Sequence, residues 1–355
     1  MPQIHQSAAE MLLGRPLERG WRVTERVPRH PAATGGTFSV GYIVEHPDGK
    51  RGLCKALDYL KAFSQPTTPD ALHLATEQYI FERNLHQKCD TYKMSKIITA
   101  LDDGYVMVPE CIMPRVDYII FELADSDVRH QLNLEPDLKA AFRFRALHHV
   151  TVALRQLHQH GIAHQDVKPS NVLSCAEAHA DKVHKLGDLG RATDMSMPAL
   201  HDGIAIPGDR NYAPPEHLYG LLYPDFMTRR CASDIYQLGS LATFMFTGMT
   251  MNSLLFSQLA GEYSWRKWNG TYDEVLPYIE SAFADVIDMI ALSLPFSFSD
   301  EFTRLIQCLC EPNPLRRGHP KTRSEYGSPF ALQRVITQFD RLAMSASRPV
   351  LAEVS

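Results

Sequence analysis

Within one short stretch, His164-Gln165-Asp166-Val167-Lys168-Pro169-Ser170-Asn171, the chain sets a carboxylate, an ammonium and an amide at fixed spacing. On a loop, Asp166 and Asn171 can face one site, the first beside a hydroxyl nucleophile and the second on a metal ion. Lys168 stands where it can neutralise charge on a phosphoryl group in transfer. Twenty-two residues after Asp166 comes Asp188-Leu189-Gly190, a second carboxylate followed by a flexible glycine. Two oxygen ligands from separate loops suit Mg²⁺, which takes few protein groups and keeps phosphate and water ligands.

Such a loop needs rigid elements on either side. Residues 137–160 read as a long amphipathic helix ended by Gly161, and further helices are expected near 232–247, 271–293, 300–311 and 330–344. The first third is strand-rich. Residues 21–27, 39–46 and 51–57 are short runs separated by turn signals, with Pro47-Asp48-Gly49-Lys50 as a hairpin turn. A helix follows Pro69-Asp70, and two more strands lie in Lys96–Val106 and Val116–Ala124.

Composition narrows the partners. With 45% hydrophobic and 22% charged residues and a formal charge of −5, a substantial core is expected and nothing indicates nucleic acid or an anionic membrane. No run reaches the roughly 18 apolar residues of a membrane span. The first twenty residues lack the pattern of a signal peptide. Seven scattered cysteines without a CxxC pair fit a reducing compartment, so the expected location is cytoplasmic. The histidines at 148, 149, 158 and 160 lack metal-ligand spacing and are expected at the surface or in packing.

These motifs resemble the protein-kinase superfamily. His164–Asn171 matches its catalytic loop HRDxKxxN with one change, and Asp188–Gly190 matches DFG with leucine for phenylalanine. Gly208-Asp-Arg-Asn-Tyr-Ala-Pro-Pro-Glu216 looks like the stretch closing the activation segment, Asp234–Gly239 like the DxWSxG helix start, and Asn313–Arg317 like the late DPxxR motif. The resemblance covers roughly residues 30–320, and residues 257–300 fit it least well.

The resemblance implies an α+β, bilobal fold: a five-stranded antiparallel sheet with one helix over residues 21–123 and a mainly helical lobe over 124–345. Residues 1–20 would be an extension and 346–355 a tail. ATP and Mg²⁺ are the implied cofactors and a protein the implied substrate. Asp166 would accept the hydroxyl proton, Lys168 offset phosphoryl charge, and Asn171 and Asp188 hold the metal. Gly35, Gly36, Lys55, Glu77, Glu122, Leu123 and Leu173 would meet the nucleotide, with Phe121 behind the base. Lys55 has Glu77 or Glu82 as its helix partner. Glu77 is preferred because Ile80 and Phe81 repeat the family's apolar spacing. Glu216 and Arg317 would form a buried ion pair. Lys168 favours Ser/Thr over Tyr as acceptor.

The departures are specific. Thr34–Gly41 is a degenerate phosphate loop in which only Gly36 aligns with a family glycine. Leu53 and Gly41 replace the alanine and valine that roof the base, so Leu53→Ala is expected to weaken ATP binding. Gln165 replaces an arginine that grips a phosphorylated activation loop, so activity is expected to survive Thr193→Ala and Ser196→Ala. Asp209 replaces a threonine and is expected to raise the pKa of Asp166. These departures define one alternative, a pseudokinase acting as a binding module. A small-molecule kinase is a second alternative.

Overall fold

The structure, a computed structural model, describes residues 7–28, 39–63, 68–177, 180–197, 201–322 and 328–347. The chain divides into two compact units, residues 1–124 and 125–355.

The first unit is built on strands β1 (Arg22–Arg26), β2 (Ser39–Glu45), β3 (Arg51–Leu57), β4 (Ala100–Met107) and β5 (Arg115–Glu122). They form one sheet in the order β1-β2-β3-β5-β4, with antiparallel neighbours throughout. The β2–β3 turn closes where the sequence places Pro47–Lys50, with Gly49 at φ 87° and its N–H donating to His46 O. Period-two alternation gives the sheet two unlike faces. Tyr42, Val44, Cys54, Ala56, Val116, Tyr118 and Ile120 share a dry core with Ala8, Ala9, Leu12, Leu17 and Trp21. Of the stretch expected as an extension, residues 1–20, the described part from Ser7 on therefore contributes to this core. The Tyr42 hydroxyl donates to the Ala9 carbonyl at 2.7 Å, and the Ser7 hydroxyl to Asp58 at 2.5 Å. The opposite face carries Gly41, Ile43, Leu53 and Lys55, all partly exposed. Helix α1 (Thr68–Thr91) buries Ala75, Glu82, Leu85, His86 and Cys89 along one stripe.

The second unit is mainly helical. After the short α2 (Val128–Leu134) comes α3 (Ala140–His158), which buries Phe144, Leu147, Val150, Leu154 and Leu157 at helical spacing. Gly161, at φ 69°, turns the chain out of it. A hairpin of β6 (Val172–Glu177) and β7 (Ala180–Leu186) follows. Then come α4 (Ala232–Thr247), α5 (Met251–Gln258), α6 (Tyr272–Ser293), α7 (Ser299–Leu309) and α8 (Gln333–Ser347). Helix α6 starts on a capping box, with Thr271 and Glu274 satisfying each other's backbone N–H groups. The hairpin, α2 and α5 were not anticipated. Among the described residues no helix is long and apolar enough to cross a membrane.

Candidate active site

The catalytic-loop stretch is fixed from below by α4, itself fully buried over its first three turns. The Asp234 carboxylate accepts the backbone N–H groups of His164 (2.7 Å) and Gln165 (2.8 Å) and the Gln165 side-chain amide (2.9 Å), and it meets His158 Nε2 at 2.8 Å. Gln237, on the same side of the helix, accepts the Val167 N–H and donates to the Gln165 carbonyl. His164 is wholly buried and its Nε2 lies 3.0 Å from the Gly187 carbonyl. It is a scaffold residue joining this loop to the one that carries Asp188.

On that base stand the chemical groups. Lys168 Nζ lies 2.7 Å from Asp166 Oδ2, and Asn171 donates its side-chain N–H to Asp166 Oδ2 (3.0 Å) and to the Asp166 carbonyl (2.8 Å). All three residues are buried. Asp188 follows in the left-handed region at φ 60°, and the Gly187 N–H donates to the Asn171 carbonyl. A non-glycine residue held there carries backbone strain, as functional loops often do. Burial raises the Asp166 pKa, the Lys168 ammonium opposes the shift, and the Asp188 charge adds to it.

Asp209 plays a different part from the one expected. Its backbone N–H donates to Asp166 Oδ1 at 2.9 Å, while its carboxylate turns to the N–H of Asn211. The upward shift of Asp166 thus comes first from burial, and the backbone of residue 209 supports the charged form. Close approach explains the preceding glycine. A Cβ at Gly208 would sit 2.2 Å from the Gln165 carbonyl and 2.7 Å from Asp166 Oδ1.

Sequence reasoning missed Arg230. Gln165, at φ 64°, buries its side chain and accepts from Arg230 Nη1 at 3.3 Å. Arg230 is itself fully buried and donates through Nη2 to the carbonyls of Asp202 (2.7 Å) and Ile204 (3.1 Å) in the segment after Asp188. Burial lowers its pKa to about 10, which leaves it cationic at neutral pH. The Arg229-Arg230 pair is visible in the sequence, but nothing local says which of the two turns inward. Thr193 is buried in a two-residue bridge with Ala163, whereas Ser196 is exposed and its hydroxyl donates to Asp194. Glu216 and Arg317 form the buried bidentate pair that the resemblance implies, with both N–O distances 2.7 Å.

In the first unit, Lys55 Nζ contacts both carboxylate oxygens of Glu82 at 2.8 Å. This corrects the preference for Glu77. Five residues at 100° each place Glu77 about 140° around α1 from Glu82, and its carboxylate lies 3.1 Å from His73. Ile80, used to favour Glu77, is exposed, whereas the buried stripe runs through Ala75, Glu82, Leu85 and Cys89. Leu53 pairs with Ile43 and Phe121, and Gly41 with Lys55, so all share the Lys55 face. Phe121 is buried against His86, with ring centroids 4.9 Å apart. The Glu122 N–H donates to Thr99 O and its carboxylate accepts the Thr99 N–H. Leu123 is half-buried just beyond, and in the second unit Leu173 is a half-buried β6 residue opposite Lys185. Gly35 and Gly36 lie outside the described residues.

A loop with a buried carboxylate, a lysine paired with it and an amide, hung on a buried aspartate of a core helix, is the arrangement of a protein-kinase catalytic loop. A family model for the protein kinase domain matches residues 35–324, and the chain belongs to that family. Similar proteins include mitogen-activated protein kinase 17 of Arabidopsis thaliana, 31% identical over 147 residues, which are 41% of this chain and 29% of that protein. The serine/threonine-protein kinase PknB of Mycobacterium tuberculosis is 29% identical over 171 residues, 48% of this chain and 26% of its own. Cyclin-dependent kinase-like 1 of Caenorhabditis elegans is 30% identical over 138 residues, 34% of this chain and 38% of its own. The matched part is thus well under half the length of each relative.

Proposed function

We propose that this protein transfers the γ-phosphate of ATP to Ser or Thr hydroxyls of protein substrates. The observation that carries the proposal is the Asp166–Lys168–Asn171 cluster, a buried carboxylate with an ammonium and an amide on it. The acceptor oxygen bonds to the γ-phosphorus as the bond to the bridging oxygen breaks. ADP leaves, and the hydroxyl proton passes to Asp166. Lys168 offsets charge on the transferring group, and Lys55, oriented by Glu82, does so on the phosphates.

Asn171 spends its amide N–H on Asp166, so its other polar atom is an oxygen. With the Asp188 carboxylate this makes a hard, oxygen-only donor pair of the kind Mg²⁺ accepts. Mg²⁺ bound there would neutralise phosphate charge. The Ser/Thr preference draws on Lys168 and on relatives named as serine/threonine kinases. A location in the cytoplasm remains part of this proposal.

The binding-module alternative drew on Asp209, and the backbone bond from Asp209 to Asp166 weakens that argument. The experiment is incubation with Mg-ATP and a general protein substrate, wild type beside Asp166→Ala, with phosphate located by mass spectrometry. Phosphoserine or phosphothreonine absent in the variant is expected. No transfer despite intact ATP binding would instead favour the binding module or a missing activator, and transfer to free sugars alone the small-molecule kinase.

A further inference from the structure

Beside the catalytic loop the second unit holds a cluster that the transfer chemistry does not use. Arg210 directly follows Asp209, whose N–H donates to Asp166. The Arg210 guanidinium lies 4.7 Å from the ring centroid of Trp265, and the Arg266 guanidinium lies 5.0 Å from the same ring. Two like charges share one indole. Among the described residues neither guanidinium has an ion-pair partner, and the acid next to Arg210 in sequence, Asp209, directs its carboxylate at the Asn211 N–H. Both arginines are exposed.

The platform is rigid where it needs to be. The backbone carbonyls of Arg210 and Ala213 accept from Asn252, whose own oxygen accepts from the buried Tyr236 hydroxyl. The Trp265 segment is tied down by the Tyr219 hydroxyl on Tyr263 O at 2.5 Å and by the stacked rings of Tyr263 and Tyr278, 3.8 Å apart. An indole face pre-orients guanidinium groups while leaving their in-plane N–H fork open to a carboxylate.

We propose that Arg210 and Arg266, stacked on Trp265, dock an acidic side chain of the protein substrate close to the acceptor hydroxyl. The inference rests on the protein-kinase function proposed above. An extended peptide advances about 3.3–3.6 Å per residue, so an arginine one residue beyond Asp209 reaches an acid within about three positions of the acceptor.

Two arms test this. In the first, Ser-containing peptides with alanine flanks are compared with versions carrying one Asp at each flanking position in turn. At one or two positions Asp should raise kcat/KM about tenfold, mainly through KM. That ratio should fall towards one in Arg266→Ala and in Arg210→Ala/Arg266→Ala, and in Arg210→Glu the preference should pass to a Lys-bearing peptide. A merely structural role for the arginines would leave the ratio unchanged. In the second arm the Ser is replaced by Ala, and binding of labelled peptides is read by fluorescence anisotropy at low and high salt. Acid-selective, salt-sensitive binding lost in the variants supports the site even if no peptide is phosphorylated, an outcome that would sink only the kinase function. Equal use and equal binding of acidic and neutral peptides overturns the docking site and leaves the kinase function standing.

Discussion

In the proposed transfer Asp166 must be ionised to receive a proton, yet its burial favours the neutral acid. The acid limb of kcat should therefore lie above the ordinary carboxylate range of about 3.9, with activity lost as pH falls through it. Asp166→Asn should cut kcat by about 10²–10⁴-fold while ATP affinity holds; single-turnover rates across pH check both. At Lys55 the geometry separates two glutamates. Glu82→Gln should reduce kcat/KM for ATP about tenfold or more, whereas Glu77→Gln should leave it within twofold, which steady-state kinetics with ATP varied would decide. Asp166, Lys168, Asn171 and Asp188 were legible because each falls in a contiguous motif whose spacing the backbone preserves. Glu82 was not, because the choice between two glutamates depends on which stripe of α1 faces the sheet. The apolar residues there are scattered enough to suggest the wrong one.

At the scale of elements, a buried ion pair ties together parts of the second unit that lie far apart in sequence. Glu216 in the short helix Pro215–Leu218 and Arg317 after α7 are both essentially inaccessible. Arg317→Met would strand the carboxylate and should cost about 3–5 kcal/mol, with Glu216→Gln/Arg317→Met recovering part of it in a double-mutant cycle by urea unfolding. Beside this pair, burial lowers the His217 pKa from 6.5 to about 4. The unfolded chain therefore binds a proton more readily between those values. The stability contributed by keeping this ring neutral is complete above pH about 6.5 and is lost as pH falls towards 4, amounting to about 3 kcal/mol. His217→Asn should flatten the pH dependence of unfolding over that window; an unchanged slope would show that other groups dominate it. The helices 140–158, 232–247, 272–293 and 299–309 were legible from period and caps within a few residues. The β6–β7 hairpin and α5 were not, since their runs are short and carry no turn or capping pair strong enough to set them apart.

Over the whole molecule, the least legible part was the beginning. Residues 1–20 read as an appendage because their apolar residues follow no clear period, yet Ala8, Ala9, Leu12 and Leu17 complete the core on one face of the sheet. Leu12→Ala should destabilise the first unit by about 2–5 kcal/mol, seen as a lower melting temperature, and a chain beginning at Trp21 should expose that face and aggregate. Arg230 has a consequence at the same scale. Where a kinase segment is ordered by an added phosphate, a second enzyme writes the charge and a third erases it. Here the guanidinium that bonds the carbonyls of Asp202 and Ile204 is encoded in the chain and buried as the chain folds. Ser196→Ala should accordingly leave the transfer rate within about twofold, whereas Arg230→Met should lower it, by assays on both variants at equal folded fraction. Such a charge has no off state: what removes it is heat or a mutation, and the segment's order becomes a thermometer of the fold beneath it.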